Sequence, residues 1–306
     1  MKRKITRFLL CTLLSSLLLS VSALADTGPK PQLIVRVEHA PQELYYLDLL
    51  AEGEYDGSDG YNGIEWSYSD EEAAALDEDL LALLRAAVPD GWHACTAEGA
   101  TGAPMWGQLY AEKTDRAGNA LHSFGYFGVP DTYRIIIVTK SGETWISDTL
   151  ERKVLQSSAT VDWESGTAGA GDTTVSTPPV WLGYVLQFLA TLLPTLVIEG
   201  LLLLAFGFSW KENRKLFLLV NFVTQGGLAL YLAATVLRHG VSGWSYLIFI
   251  PIELVILLTE TLIYRRALAG QSRSRAALYG VCANLASALI GLFLAEPVWR
   301  FVVSIS

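Results

Sequence analysis

Four long apolar stretches in the C-terminal part of the chain constrain its fold more than any other feature of the sequence. They run roughly over Val180–Phe208, Leu216–Leu237, Tyr246–Tyr264 and Ala276–Ala295. A helix needs about 20 predominantly apolar residues to cross the hydrocarbon core of a bilayer, and each stretch is about that long. The sequence therefore predicts a membrane protein with a four-helix transmembrane bundle over residues 179–306.

The residues beside these stretches predict how the bundle is oriented. Aromatic residues near the ends are typical of the lipid headgroup level: Trp181, Tyr184, Trp210, Trp244, Tyr246, Tyr264, Tyr279 and Trp299. Cytoplasmic loops carry an excess of Lys and Arg. The first and third connections hold Lys211, Arg214, Lys215, Arg265, Arg266, Arg273 and Arg275, whereas the outward segments hold Arg238 and Arg300. The predicted location is the cell membrane, multi-pass, with an extracytoplasmic N-terminal domain and an extracytoplasmic C-terminus.

The first 25 residues have the pattern of a secretory signal peptide. Lys2, Arg3, Lys4 and Arg7 precede an apolar region over Phe8–Leu19, and Ala23-Leu24-Ala25 is a typical cleavage site before Asp26. Residues 26–164 are therefore predicted to be exported, in agreement with the orientation that the basic residues give. Failed cleavage would leave one more span and the same orientation.

The charge of the exported part limits its partners. Residues 26–178 contain 26 Asp and Glu against 9 Lys and Arg, a net charge of −17. Such a domain repels nucleic acid and anionic lipid, so no nucleic-acid partner is expected. After cleavage the cysteines are Cys95, in the exported domain, and Cys282, in a predicted span. No disulfide is predicted between them.

The exported domain reads as α+β and rich in strands. Leu33–His39 and Glu43–Leu50 are strand-like and predict a hairpin, and Asp70–Ala87 has apolar residues at helical spacing. Arg134–Lys140, Glu143–Asp148 and Val154–Trp163 predict a second group of strands. Residues 165–178, rich in Gly, Thr, Ser and Ala, predict a flexible linker with a reach of about 20 Å.

The exported domain offers two weak candidates for a site. Glu54, Asp56, Ser58 and Glu65 loosely resemble a calcium loop, but Asp59 stands where the loop needs Gly, and Asp-Gly and Asn-Gly pairs are also ordinary turn formers. His39, His93, His122 and Cys95 could supply a soft metal ligand or a nucleophile. Their spacing matches no metal or catalytic motif, and isolated histidines are common on domain surfaces. No catalytic residue and no cofactor are predicted.

The apolar stretches contain a more informative set of polar residues. Each stretch contributes to it, and at helical spacing the polar residues of a stretch share a face: Glu199, Asn221, Gln225, Glu253, Glu260 and Asn284. Thr191 and Thr195 precede Glu199 beside Pro194, Thr224 lies beside Gln225, and Ser287 follows Asn284. At about 1.5 Å per residue, Glu199, Gln225, Glu253 and Asn284 lie about 12–17 Å deep, with Asn221 and Glu260 in a second layer about 6–8 Å deep.

Two interpretations of this polar set remain open. A charged group at mid-membrane costs about 2.5–3.5 kcal/mol on insertion scales, and the stretches contain no Lys or Arg to pair with the acids. Each Glu must therefore be protonated, hydrogen-bonded or neutralised by a cation. The set either joins the helices through hydrogen bonds or forms a site for a proton, a cation or a small ligand.

Three segments resemble those of a known group of proteins: Tyr133–Asp148 (YRIIIVTKSGETWISD), Leu193–Phe208 (LPTLVIEGLLLLAFGF) and Phe217–Gly226 (FLLVNFVTQG). They are similar to a family of uncharacterised bacterial membrane proteins with a secreted N-terminal domain and four C-terminal transmembrane helices. The resemblance implies this architecture and no activity.

Together these features predict a non-enzymatic membrane protein that senses or interacts through its exported domain. Its partners would be the lipid bilayer and a protein, either another chain or a second copy. The alternative is an ion- or proton-coupled transport component that uses the intramembrane carboxylates; four spans are few for a complete transporter, so that role would need an oligomer. A membrane enzyme is the third interpretation, disfavoured because Cys282 is the one Cys or His residue near the polar set.

Overall fold

A computed structural model describes residues 30–55, 57, 60–164, 175–239 and 249–305. Within helices, the side chains of residues 239, 249–250 and 290–305 are outside this description. The predicted signal peptide and cleavage site lie outside the described residues, as do residues 165–174 of the predicted linker. The same is true of Asp56, Ser58 and Asp59 of the candidate calcium loop.

The N-terminal domain is rich in strands. They are β1 Gln32–Glu38, β2 Tyr45–Glu52, β3 Gly60–Tyr61, β4 Trp92–Ala94, β5 Ala100–Thr101, β6 Trp106–Gly107, β7 Lys113–Thr114, β8 Ala120–Gly125, β9 Thr132–Thr139, β10 Thr144–Ile146, β11 Leu150–Glu151, β12 Gln156–Asp162 and β13 Val175–Ser176. One sheet has the order β13-β12-β1-β8-β6, with β7 also paired to β8. A second has the order β10-β9-β2-β4, with β11 paired to β9, and β3 pairs with β5.

The two large sheets enclose one hydrophobic core. Alternate residues of a strand point to opposite faces, and Leu33 and Val35 of β1 share this core with Leu47 and Leu49 of β2. All four side chains are fully buried. The N-terminal domain is therefore built on a β-sandwich.

The predicted hairpin between the first two strands is wrong. β1 pairs with β8 and, in parallel, with β12, while β2 pairs with β9 and β4. Both edges of each strand are thus occupied by partners distant in sequence, and the connection passes from one sheet to the other through His39, which has a left-handed backbone (φ 49°). The second predicted group of strands is confirmed for β9 and β10, which pair antiparallel with Thr144 opposite Val138. Its third member is wrong, because β12 pairs with β1 in the first sheet.

The single helix expected over Asp70–Ala87 is two helices. The short helices are α1 Gly63–Ser67, α2 Asp70–Ala74 and α3 Glu78–Ala86. Asp77 interrupts the pattern because its carboxylate accepts a hydrogen bond from the backbone N–H of Leu80 (3.0 Å) and caps α3. Leu80 and Leu84 of α3 then pack with Tyr46 on the outer face of the second sheet.

Four helices follow the domain: α4 Val180–Ala205, α5 Trp210–His239, α6 Phe249–Ala267 and α7 Arg273–Ile305. Among the described residues, two of them, α4 and α5 as far as Arg238, are long and apolar enough to cross a membrane. The four-span bundle is therefore not confirmed. α6 has 19 residues that include two Glu and two Arg, and the described side chains of α7 end at residue 289.

The helices share a hydrophobic core of their own. α7 packs against α4 and α6, and α5 packs against α4. Leu203, Phe217, Tyr264 and Tyr279 are fully buried there, and the rings of the two tyrosines are 5.3 Å apart. The structure thus has a β-rich domain followed by a packed group of helices.

The described end of the predicted linker is not a free tether. Val175 and Ser176 form β13, which pairs antiparallel with β12. Backbone hydrogen bonds to the sheet edge therefore hold the chain shortly before α4 begins.

Candidate functional site

Glu199 is enclosed where α4 meets α7. Its side chain is 1% exposed. Ser287 of α7 donates its hydroxyl to Glu199 Oε1 (2.9 Å), and the Tyr279 hydroxyl donates to the Glu199 backbone oxygen (3.2 Å). Tyr279 and Ser287 lie eight residues apart, about two helical turns, and therefore share one face of α7. The helix spacing of the sequence thus brings one hydroxyl to the Glu199 carboxyl and a second to its backbone oxygen.

Glu260 of α6 is equally buried and connects three helices. Its Oε1 is hydrogen-bonded to the Thr224 hydroxyl of α5, and its Oε2 accepts from Asn284 Nδ2 of α7 (2.9 Å). The Thr224 hydroxyl also lies 2.9 Å from the carbonyl oxygen of Val220 one turn earlier in α5. Both Glu260 oxygens therefore have polar partners on neighbouring helices.

Asn221 of α5 lies beside Glu199 and completes the cluster. Its Nδ2 donates to the Tyr264 hydroxyl (3.0 Å) and to the carbonyl oxygen of Phe217 (3.1 Å). Among the described residues, Asn221 Oδ1 and Glu199 Oε2 are buried oxygens with no hydrogen-bond partner. Each of these buried acceptors needs a donor or a cation.

The structure assembles four of the six predicted site residues. Glu199, Asn221, Glu260 and Asn284 are buried, whereas Gln225 and Glu253 are half-buried. In the described part of the chain, the hydrogen bonds of the cluster do not include these last two. The two predicted layers are not separate, because Asn284 and Glu260 are bonded to one another.

Tyr264 and Tyr279 are the cluster residues whose environment the sequence misassigned. The headgroup level was expected for both, yet each is fully buried and hydrogen-bonded within the cluster. Their spacing indicated this position, since Tyr264 follows Glu260 by four residues and Tyr279 precedes Ser287 by eight. Buried tyrosine hydroxyls need partners, and the cluster supplies them.

An apolar groove lies between α5 and α6. Its volume is about 450 Å³, and its walls include Val223, Gly227, Tyr231 and Ile256. Thr224, the partner of Glu260, also lines it. Thr224 is therefore the cluster residue that borders this apolar groove.

The N-terminal domain contacts the first turns of α4. Tyr184 donates its hydroxyl to the Lys153 backbone oxygen (2.7 Å), and Gln187 Nε2 donates to Gln156 Oε1 (2.8 Å). A Cβ atom built on Gly183 would lie 3.5 Å from the Val154 Cβ, so the backbones approach closely here. We call these contacts the domain–helix joint.

The outer face of the first sheet also takes part in this contact. Ile34 and Leu121, on the strands β1 and β8, pack against Leu186 of α4. The joint thus combines apolar packing with hydrogen bonds, and it lies on the helix that carries Glu199.

The three histidines of the N-terminal domain occupy different environments. His39 is exposed, and its hydrogen bond to Asp162 (3.0 Å) raises its pKa. His122 is buried between the sheets, where its ring bonds the Tyr45 hydroxyl (3.0 Å) and the Gln108 backbone oxygen (3.0 Å). Burial lowers the pKa of His122 to about 4, so the ring is neutral. His93 lines a cavity with Cys95.

The predicted calcium and metal candidates receive no support from the described residues. Within them, no group of three or more His, Cys, Asp or Glu side chains could hold a metal ion. Glu65 lies in α1, whose first N–H groups are capped by Asn62 Oδ1. Burial also raises the pKa of the Cys95 thiol well above its ordinary value, which leaves the sulfur protonated.

Comparisons with known proteins give no functional assignment. No protein-family model, curated protein or solved structure matches the chain. The resemblance to a bacterial membrane-protein family gains no support from them.

Proposed function

We propose that this chain is a non-enzymatic multi-pass membrane protein whose exported domain senses or binds a partner and passes its state to the helices. In this proposal all four C-terminal helices cross the bilayer, the predicted signal peptide has been removed, and the N-terminal domain lies outside the cell. The partner is a protein, either another chain or a second copy.

The domain–helix joint is the observation that supports this proposal. A domain tethered only by a flexible linker would move independently of the helices. Here a side-chain hydrogen bond joins Gln156 to Gln187, and Leu186 packs on the sheet. A change in the sheet would therefore act directly on α4. This helix carries Glu199, so the movement would reach the intramembrane cluster.

An engineered disulfide tests whether the joint exists in the membrane. Cysteines at Val154→Cys and Gly183→Cys would have Cβ atoms 3.5 Å apart, within the range that disulfides accept. The first change also removes the two Cγ atoms that a side chain at position 183 would otherwise approach. We expect the double variant of the full chain to oxidise spontaneously and to show a reductant-sensitive shift in gel mobility.

The matched control pairs Val154→Cys with Val185→Cys. Val185 is 43% exposed and lies about 200° further around α4, so this pair should remain reduced. Equal oxidation of both pairs, or of neither, would show that the domain moves freely on its tether and would remove the basis of the proposal. Co-purification of a partner or a second copy in mild detergent tests the interaction itself, and recovery of the chain alone contradicts it.

Ion- or proton-coupled transport is the second candidate, supported by the unpartnered acceptors Glu199 Oε2 and Asn221 Oδ1. A proton on Glu199 would supply a donor for this pair, and a cation would neutralise the carboxylate. The groove between α5 and α6 borders the cluster at Thr224. A complete transporter of this kind would require an oligomer or partner subunits.

Thermal unfolding of the full chain separates this candidate from a structural role. Wild type and the variants Glu199→Gln, Glu253→Gln and Glu260→Gln would be compared across pH and in Na⁺, K⁺, Ca²⁺ and Mg²⁺. A cation- or proton-linked site predicts a shift in wild type that Glu199→Gln abolishes. Curves that shift with pH and with each cation in the same way in wild type and in Glu199→Gln would refute the transport candidate and leave interhelical hydrogen bonding as the role of the cluster.

A further inference from the structure

We infer that the N-terminal domain docks a basic segment of another protein on an exposed aromatic surface, where an Arg side chain of the partner stacks on Trp66. We call this surface the aromatic patch; it consists of Tyr61, Trp66, Tyr126 and Phe127. Ring centroids are 5.7 Å apart for Tyr61 and Trp66, 6.1 Å for Trp66 and Tyr126, and 5.0 Å for Tyr126 and Phe127. The rings therefore form one continuous series, which joins β3 and α1 to the connection between β8 and β9.

The aromatic patch faces solvent. Trp66 is 48% exposed, and Tyr61 and Phe127 are each 37% exposed. Single exposed apolar side chains are ordinary, but a contiguous group of them is typical of an interaction site. Tryptophan and tyrosine are also enriched among the residues that dominate protein–protein binding. The patch thus has the exposure and the composition of a docking surface.

The backbone on both sides of the patch holds the rings in place. Tyr126 has a φ of 81°, a conformation that bulky side chains rarely adopt, and residues held in this way cluster at binding sites. On the other side, a Cβ atom built on Gly63 would collide with the backbone oxygens of Cys95 and Thr96, so α1 packs closely on that segment. A surface fixed before the partner arrives loses less entropy on binding.

A cation already lies on one ring of the patch. Lys30 Nζ is 4.0 Å from the centroid of the Tyr126 ring and 5.9 Å from that of Phe127. The face of an aromatic ring attracts a cation within about 6 Å, and tryptophan attracts it most strongly. Trp66 is also the most exposed ring of the patch. Arg is the best side chain for this contact, because its planar guanidinium stacks on the ring and is weakly hydrated.

The charge around the patch selects a basic partner. The segment 37–84 supplies Tyr61 and Trp66, and it contains 14 Asp and Glu and no Lys or Arg. Glu65, next to Trp66, is exposed, as are the three acids in the first turn of α2. Such a field attracts cationic partners and repels anionic ones. A second copy carries the same net charge of −17 on its exported part, so the partner at this surface is a different protein.

The angles between the rings favour a cationic side chain over a carbohydrate. A sugar chain stacks on ring faces that lie in one plane. The planes of Tyr61 and Trp66 meet at 81°, and those of Tyr126 and Phe127 meet at 68°. Ring faces that meet at such angles suit a compact cation, as in the aromatic sites that bind quaternary ammonium groups.

This inference rests on the proposed interaction role, because it names the surface and the chemistry of the partner. Docking itself requires neither the domain–helix joint nor the natural partner. A peptide that binds while the disulfide across the joint fails to form would remove the transmission to α4 and leave the docking surface. The two proposals therefore fail separately.

Three matched peptides test the docking. They share one Gly-Ser sequence and carry four residues of Arg, of Lys or of citrulline, which keeps the shape of Arg but is neutral. Their affinities for the full chain in an uncharged detergent would be measured by fluorescence anisotropy of the labelled peptides. We expect saturable binding of the Arg peptide, several-fold weaker binding of the Lys peptide and at least tenfold weaker binding of the citrulline peptide. Added NaCl should weaken the Arg peptide.

Variants separate stacking on the ring from attraction by the acids alone. Trp66→Ala and Trp66→Leu should each weaken the Arg peptide about tenfold, because leucine restores apolar surface but no ring, and Trp66→Phe should recover part of the loss. Phe127→Leu should weaken it several-fold. Trp181→Ala removes a 66% exposed tryptophan outside the patch, at the start of α4, and should bind as wild type does. The thermal unfolding midpoint of each variant confirms that it is folded.

Several outcomes would overturn the inference. They are equal affinity of the Arg and citrulline peptides, equal affinity of wild type and Trp66→Leu for the Arg peptide, and absence of peptide binding to wild type. Binding of a neutral oligosaccharide such as cellohexaose that Trp66→Ala abolishes, without binding of the Arg peptide, would assign the patch to carbohydrate instead.

Discussion

Replacing Glu260 by glutamine should leave the helices nearly as stable as wild type, whereas leucine should destabilise them. The Val220 carbonyl lies 2.9 Å from the Thr224 hydroxyl and can take its proton, which frees the hydroxyl oxygen to accept from a neutral Glu260. Asn284 Nδ2 donates to the other carboxyl oxygen. Glutamine reproduces this pattern, with Nε2 donating to Thr224 and Oε1 accepting from Asn284.

The loss of stability in each variant follows from the hydrogen bonds that the new side chain retains. Leucine loses the bonds to both Thr224 and Asn284. Interhelical hydrogen bonds in membranes are worth about 0.6 kcal/mol on average and up to about 1.7, so Glu260→Leu should cost about 1–3 kcal/mol. Asn284 Nδ2 keeps the Gly280 carbonyl as an acceptor (3.0 Å), which favours the lower part of this range. Glu260→Gln should cost less than about 0.5 kcal/mol.

Reversible denaturant unfolding of the full chain in mixed micelles, followed by far-ultraviolet circular dichroism, gives these differences. Glu253→Gln and Glu253→Leu are the matched controls, because Glu253 lies seven residues earlier in the same helix and is only half-buried. Both control variants should differ little from wild type. If Glu260→Gln costs as much as Glu260→Leu, the carboxylate is ionised or holds a cation, and the argument for a neutral Glu260 is wrong.

Three further predictions follow from the same structure. Burial lowers the pKa of His122 from 6.5 to about 4, so the unfolded chain binds a proton at a higher pH than the folded chain does. The free energy of unfolding should therefore fall by up to about 3 kcal/mol from pH 6.5 to pH 4. This dependence on pH should be weaker in His122→Gln. Asn213→Ala should lower the unfolding midpoint, with a loss of about 1–3 kcal/mol, because the buried side chain bonds both the backbone nitrogen (2.9 Å) and oxygen (3.2 Å) of Ala269; unchanged stability would contradict that role. Finally, an impermeant thiol reagent should label the exposed site Glu143→Cys in intact cells but Ser272→Cys only after permeabilisation, and the opposite result would contradict the topology.

Local sequence patterns were sufficient to predict that a strand-rich domain precedes the helices and which face of the helices is buried. Strand-like segments precede long apolar stretches, and the structure has a β-rich domain followed by helices. The burial of Glu199, Asn221, Glu260 and Asn284 was also predictable, because side chains at helical spacing share a face and polar groups avoid lipid.

Strand partners were not predictable from local pattern. Val35 of β1 lies opposite Ala159 of β12 in a parallel pair and opposite His122 of β8 in an antiparallel pair. Alternation along β1 shows that the strand is buried but does not show which strand lies beside it. The same limit applies to Asp77, whose capping hydrogen bond begins α3 inside a continuous helical pattern.

The hydrogen-bond partners of single polar residues were likewise decided by tertiary structure and not by local pattern. From sequence, His93 was one of several isolated histidines, and Tyr279 was an aromatic residue near the end of a span. In the fold, His93 Nδ1 lies 2.9 Å from the Gly53 backbone oxygen, and Glu199 supplies the partner of the Tyr279 hydroxyl. The sequence alone determined which residues are polar, apolar or suited to a helix, because these properties are local. Which of them meet depends on contacts between residues 40 to 80 positions apart in the chain, and only folding makes those contacts.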